Sequence, residues 1–101
     1  MEININRQEK NTIVELIGRL DTPASLEAGK AFEQVQDDTA GTVILDCTRL
    51  EYISSSGLRI FLSLRKAAAA NGGKVIVKGI NSDIRNVFMM TGFLNLFQIE
   101  D

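Results

Sequence analysis

Three consecutive serines, Ser54, Ser55 and Ser56, are the residues whose types and spacing most clearly suggest chemistry in this chain. They lie between an apolar, strand-like segment and the start of a predicted helix, and Gly57 and Leu58 follow them directly. Hydroxyl groups at the beginning of a helix lie beside unpaired N–H groups and the positive end of the helix dipole, where an added phosphate is stabilised. These three residues, called the serine loop below, are therefore a candidate phosphorylation site.

The chain of 101 residues contains no histidine, which removes the usual general base. Ser-His and Cys-His nucleophilic pairs and most zinc sites are therefore excluded. The single cysteine, Cys47, excludes an internal disulfide and is expected to be a small buried filler rather than a reactive thiol. We expect no catalytic residue, no metal site and no cofactor, and a small serine hydrolase is the weakest alternative.

Composition predicts one cytoplasmic globular domain over residues 1–101. Hydrophobic residues make up 45% of the chain, and eleven basic against thirteen acidic residues leave a net charge of −2. A chain with this net charge is not expected to attract nucleic acid or anionic lipid. No apolar run approaches the roughly 20 residues that cross a bilayer, so we expect no membrane insertion and no direct binding of nucleic acid.

Hydrophobic periodicity predicts strands that alternate with helices in the order β-β-α-β-α-β-α-β. Thr22 is predicted to cap the first helix, with Pro23 at its first position, and the apolar run Thr42–Asp46 is typical of a central strand covered on both faces. The alternation indicates an α/β domain with a mixed, mostly parallel sheet and helices packed on it. Predicted strands cover residues 3–6, 12–17, 42–46, 74–78 and the end of 93–99, and residues 37–41 are predicted to be a loop. One helix is predicted over 23–36, a second from the end of the serine loop to Asn71-Gly72-Gly73, and a third from the capping cluster Asn81-Ser82-Asp83 up to Gly92.

Short motifs in this order resemble those of STAS domain proteins, in particular the bacterial anti-sigma factor antagonists. The resemblance extends over essentially the whole chain and implies the STAS fold. It is carried by Gly18-Arg19-Leu20-Asp21, by Val43-Ile44-Leu45-Asp46 followed by Ser55-Ser56-Gly57-Leu58, by Gly72-Gly73-Lys74, and by Val87-Phe88 with Thr91-Gly92-Phe93.

The same resemblance implies which hydroxyl is modified. The family loop usually reads Asp-Ser-Ser-Gly or Asp-Ser-Thr-Gly, and the first hydroxyl after the aspartate is phosphorylated. That role falls on Ser55, while Ser54 stands where the aspartate would be. Because this departure leaves a rival hydroxyl, Ser54 and then Ser56 remain alternative acceptors, and simple capping of the next helix is the structural alternative for all three.

The partner implied by the resemblance is an anti-sigma factor that is also a serine kinase. The unmodified protein would bind it and release the sigma factor, phosphorylation would end the contact, and a metal-dependent phosphoserine phosphatase would restore the serine. The alternative is a STAS subunit of a lipid-transport ABC complex or another regulatory STAS module.

The partner-binding surface is expected to surround the serine loop. Asp21 is alternatively a helix-start residue that supports Thr22, and Arg59 could contact the partner, pair with the phosphate or simply be solvated. The expected binding residues are Asp21, Thr22, Ser54, Ser55, Ser56, Gly57, Leu58 and Arg59.

Overall fold

The computed structural model describes all 101 residues and contains six strands and three α-helices. The α/β class and the order of the eight predicted elements are confirmed; one further strand and two short 3-10 helices were not predicted. The strands are β1 (Glu2–Arg7), β2 (Asn11–Leu20), β3 (Thr42–Asp46), β4 (Leu50–Ile53), β5 (Lys74–Lys78) and β6 (Gln98–Glu100). The helices are α1 (Thr22–Gln34), α2 (Ser55–Asn71) and α3 (Ser82–Thr91), and the 3-10 helices cover Gln36–Ala40 and Phe93–Asn95.

The sheet is mixed and mostly parallel, with the strand order β1-β2-β3-β5-β6 and β4 attached to β2. Only β1 is antiparallel to its neighbour. The long strand β2 pairs with β3 through residues 11–15 and with β4 through residues 18–20, and the register shifts between Gly18 and Arg19. Gly18 has a φ of +104°, which other residues rarely adopt. This glycine therefore allows β2 to change partner and to end beside β4.

The core lies between the helices and one face of the sheet. In β3, Val43 and Leu45 are fully buried, whereas Ile44 on the other face is only partly buried, so the prediction of a strand covered on both faces is wrong. A continuous apolar run does not reveal whether helices cover one face or two. At the centre of the core, the Phe61 ring lies 5.7 Å from that of Phe32 and 6.3 Å from that of Phe88, so one side chain of α2 joins all three helices.

The buried position predicted for Cys47 is confirmed. Its side chain is fully buried after β3, and its amide donates to the Lys78 carbonyl at 2.7 Å. Burial, with a smaller contribution from the neighbouring Asp46 carboxylate, raises the pKa of the thiol from 9.0 to about 12. The thiolate, which is the reactive form, is thus suppressed in the folded protein.

We predict that the folded protein resists alkylation at Cys47 near neutral pH, whereas the urea-unfolded chain reacts fully, as followed by intact mass. The unfolded thiol ionises from about pH 9 and the folded thiol only near pH 12, so the associated stability is present below pH 9 and declines above it. Wild type should therefore lose more stability than Cys47→Ala between pH 8 and pH 11. Rapid labelling of the folded chain would contradict this account.

Candidate functional site

Two helices begin side by side at the carboxyl ends of two neighbouring parallel strands. Leu20, the last residue of β2, is paired in register with Ile53, the last residue of β4. The chain then enters α1 after β2 and α2 after β4, and the Ser54 amide donates to the Leu20 carbonyl at 2.8 Å. The start of α1 and the serine loop therefore lie together at one edge of the domain, as expected from the sequence.

Ser54 is the N-cap of α2 and faces inward. Its Oγ accepts a hydrogen bond from the Gly57 amide at 3.1 Å, and its carbonyl accepts one from the Leu58 amide at 2.9 Å. Only 8% of Ser54 is exposed. The hydroxyl of Ser54 is thus occupied by the capping bond that an aspartate at this position would also make.

Ser55 is exposed and occupies the first position of α2. Its hydroxyl makes no hydrogen bond to another residue, and neither do the amides of Ser55 and Ser56, because the first-turn bonds of the helix go to Ser54. Ser56 is half-buried. Of the three serines, Ser55 therefore combines the freest hydroxyl with two unpaired N–H groups beside it.

Asp21, rather than Thr22, caps α1, so the prediction of Thr22 as the cap is wrong. The Asp21 Oδ1 accepts a hydrogen bond from the Ala24 amide at 2.9 Å, and its carbonyl accepts from the amide and the hydroxyl of Ser25. Thr22 and Pro23 form the first turn and are exposed. Both Asp and Thr are good caps, and the point at which the chain leaves β2 decides between them.

Gly57 supports the serine loop from below. A Cβ atom at this position would lie 2.8 Å from two atoms of the Leu20 side chain and 2.9 Å from Cγ1 of Ile53. Leu58 beside it is 7% exposed and belongs to the core. Three of the expected binding residues, Ser54, Gly57 and Leu58, are therefore largely buried. Thr22, Ser55 and Arg59 are exposed, and Asp21 and Ser56 are half-buried.

Arg59 lies one turn after Ser55 and its side chain is exposed. The protein contains two ion pairs, Arg7 with Asp38 and Arg85 with Asp101, and Arg59 belongs to neither. A separation of four residues places Arg59 next to Ser55 on the same helix face. Its guanidinium group is therefore available to a phosphate on Ser55 or to a partner.

Sequence reasoning missed a second set of exposed residues beside the loop. The Arg19 guanidinium lies 4.4 Å from the ring centroid of Tyr52, which is 40% exposed, and both line a cleft of about 180 Å³ between β4 and α3. The Asn81 side chain caps α3 and donates weakly to the Leu50 and Glu51 carbonyls at 3.4 and 3.5 Å. The sequence signal for this region was weak. Residues 50–53 include an aromatic and a β-branched side chain, which favour a strand, but they lack the alternation of polar and apolar residues that marks a half-buried strand.

The remaining chemistry of the surface is limited. No group of three or more histidine, cysteine, aspartate or glutamate side chains is placed to hold a metal ion. None of the helices combines the length and apolar character required for a membrane span.

The protein is a small α/β domain in which two helices start side by side and an exposed serine lies at one of these starts. The STAS domain family model matches residues 2–101, and the chain belongs to the STAS domain family.

Named bacterial proteins are similar in sequence to part or all of this chain. BtrV of Bordetella bronchiseptica, provisionally named an anti-sigma factor antagonist, is 39% identical over 57 residues, which are 56% of this chain and 49% of that protein. The anti-sigma-B factor antagonist of Staphylococcus aureus is 23% identical over 101 residues, which are 100% of this chain and 94% of that protein.

Solved structures confirm the fold. A provisionally named anti-sigma factor antagonist of Thermotoga maritima superposes with a TM-score of 0.89 at 17% identity, over 98% of this chain and 86% of that one. The anti-sigma factor antagonist SpoIIAA in its unphosphorylated form gives 0.77 at 20% identity, over 99% and 88%. Phosphorylated SpoIIAA, a Bacillus cell fate determinant, gives 0.75 at 21% identity, over 97% and 90%. At these identities the likeness concerns the fold alone.

We predict that Gly57→Ala destabilises the protein by about 1–3 kcal/mol, because the added methyl group must displace packed core side chains. Urea unfolding measures the change. Gly72→Ala is not a matched control since Gly72 has a φ of +79°, so the comparison is with Ser63→Ala on the exposed surface of α2. Stability equal to that of the Ser63 variant would show that the loop has room to shift.

We predict that Ser54→Ala costs about 1 kcal/mol through loss of the cap, and that Ser54→Asp retains the stability because a carboxylate caps the same amide. Thermal or urea unfolding of both variants, with the exposed Ser55→Ala as control, provides the measurement. Equal loss in the alanine and aspartate variants would exclude a capping role for Ser54.

Proposed function

We propose that this chain is an anti-sigma factor antagonist that is switched by phosphorylation of Ser55. The observation that carries the proposal is the exposed Ser55 hydroxyl, which makes no hydrogen bond at the start of α2. The chain belongs to the STAS domain family, and its relatives in Bordetella bronchiseptica and Staphylococcus aureus are named anti-sigma factor antagonists. In this scheme the domain is a cytoplasmic binding module and a substrate, not a catalyst.

The unmodified protein would bind an anti-sigma factor that is also a serine kinase, and so release the sigma factor. The kinase then transfers the γ-phosphoryl group of ATP to the Ser55 oxygen, which loses its proton, and ADP leaves. In this scheme the base that accepts that proton belongs to the kinase, together with ATP and Mg²⁺. A metal-dependent phosphatase would hydrolyse the ester with water and restore the hydroxyl.

The fold should tolerate the modification. A phosphate brings a charge of about −1.5 to −2 and strong acceptor oxygens to a place where two amides are unpaired and the helix dipole is positive. Arg59 is within reach of the same face. The unfavourable effect therefore falls on the complex, because a dianion buried against a partner without compensating charges is costly to desolvate.

The burial of Ser54 and Ser56 favours Ser55 as the phosphorylated residue. The Ser54 hydroxyl is buried and accepts the capping bond from the Gly57 amide, and a phosphate on it would disturb this bond and need space that the buried position lacks. Ser56 is half-buried. A kinase active site must surround the acceptor hydroxyl, and Ser55 requires the least rearrangement for this.

The test is incubation of the purified chain with the anti-sigma factor kinases of its own organism and ATP, followed by intact-mass measurement and site mapping. One phosphate should be gained by the wild type, by Ser54→Ala and by Ser56→Ala, but not by Ser55→Ala, which should still bind the kinase. Ser55→Asp should stay folded and bind at least about tenfold more weakly because it carries part of the phosphate charge.

Mapping of the phosphate to Ser54 would overturn the assignment of Ser55. Absence of both binding and phosphate transfer with every such kinase would overturn the proposed function. Stable association with a membrane transporter complex would then favour the alternative of a lipid-transport subunit.

A further inference from the structure

The exposed face of α2 carries basic side chains that form no ion pair within the protein. The helix contains three of the eleven basic residues, Arg59, Arg65 and Lys66, and none of the thirteen acidic ones. It therefore has a formal charge of +3, while the rest of the chain sums to −5. A local concentration of one sign on a chain of the opposite net sign is a feature of recognition surfaces rather than of folding.

Two of these cations lie in line with the phosphorylation site. Arg59 and Lys66 follow Ser55 by four and eleven positions, which places all three on one face of a helix with 3.6 residues per turn. All three are exposed. Arg65 is different because it is half-buried and its Nε donates to the Leu96 carbonyl. Ser55, Arg59 and Lys66 are called the α2 strip below.

The α2 strip is not explained by interactions within the domain. Neither ion pair of the protein includes Arg59 or Lys66, and neither side chain donates a hydrogen bond to another residue. The helix dipole does not explain these cations either. Arg59 lies near the positive end of the dipole, where a cation is not stabilised, and the last turn, where a cation would be stabilised, contains no basic residue.

We propose that the α2 strip is a docking surface for an acidic region of the anti-sigma factor kinase, an inference that rests on the proposed function. The occupant follows from two observations. The kinase active site must cover Ser55, so its neighbouring surface lies over the next turns of α2. The exposed charges there are positive and unpaired, and their complement is acidic.

This arrangement gives phosphorylation a second consequence. A phosphate of about −1.5 to −2 at the head of the strip nearly cancels the charge of Arg59 and Lys66 together. Arg59, one turn away, is also placed to pair with that phosphate. Modification thus weakens the attraction along the helix as well as placing a dianion at the active site of the partner.

The test uses Arg59→Glu/Lys66→Glu and a control of equal charge change, Lys10→Glu/Lys74→Glu. Lys10 lies in the turn between β1 and β2 and Lys74 begins β5, both at the end of the sheet opposite the serine loop. Calorimetry measures the Kd of each unmodified protein for the kinase that phosphorylates Ser55, after circular dichroism has verified the fold.

The strip variant should bind about tenfold or more weakly, and raising NaCl from about 50 to about 300 mM should weaken the wild type more than this variant. The control should remain close to the wild type. If the strip variant and the control lose affinity equally, or if neither loses affinity, the proposed docking surface is wrong. Binding of the wild type to the kinase would in that case still support the proposed function. Failure of the wild type itself to bind or accept phosphate would instead overturn the proposed function.

Discussion

One hydrogen bond, from the Ser54 amide to the Leu20 carbonyl, joins the ends of β2 and β4 at the edge of the domain where α1 and α2 begin. It extends the parallel pairing of β2 and β4 by one step, and each strand turns into a helix directly beyond it. Gly57 then packs closely against the Leu20 and Ile53 side chains of the two strands, so that any larger residue there would have to displace them. Ser55 is consequently presented by backbone bonds and core packing rather than by a free loop.

The electrostatics of this edge follow from which residue caps which helix. Asp21 supplies a carboxylate to the start of α1, whereas Ser54 caps α2 with a neutral oxygen. The helix that carries Ser55 thus has no anion of its own along its 17 residues. An aspartate in place of Ser54 would put a negative charge at the start of α2 in the unmodified protein. With Ser54 in that place, a phosphate would be the first negative charge on α2, so the change in the charge of the helix on phosphorylation would be greater.

Most of the secondary structure was accessible from the sequence because its signals are local. The bounds of β3 and β5 agree with prediction, since each is a compact apolar run between polar or glycine residues. The missed strand β4 shows the limit. Its first and last residues are buried and its two middle residues exposed, so it has no alternation, and its pairing partner β2 lies about thirty residues earlier in the chain.

The sequence by itself determined that three hydroxyls stand at the start of a helix, that no histidine could activate them, and that the surrounding helix carries cations without anions. Only the tertiary structure decided that Ser54 turns inward as a cap while the Ser55 hydroxyl remains free, and that Asp21 rather than Thr22 caps the neighbouring helix. The physical reason is that adjacent residues at a helix start can be of the same type while their side chains point in different directions. Strand pairing with β2, a contact remote in sequence, sets that direction.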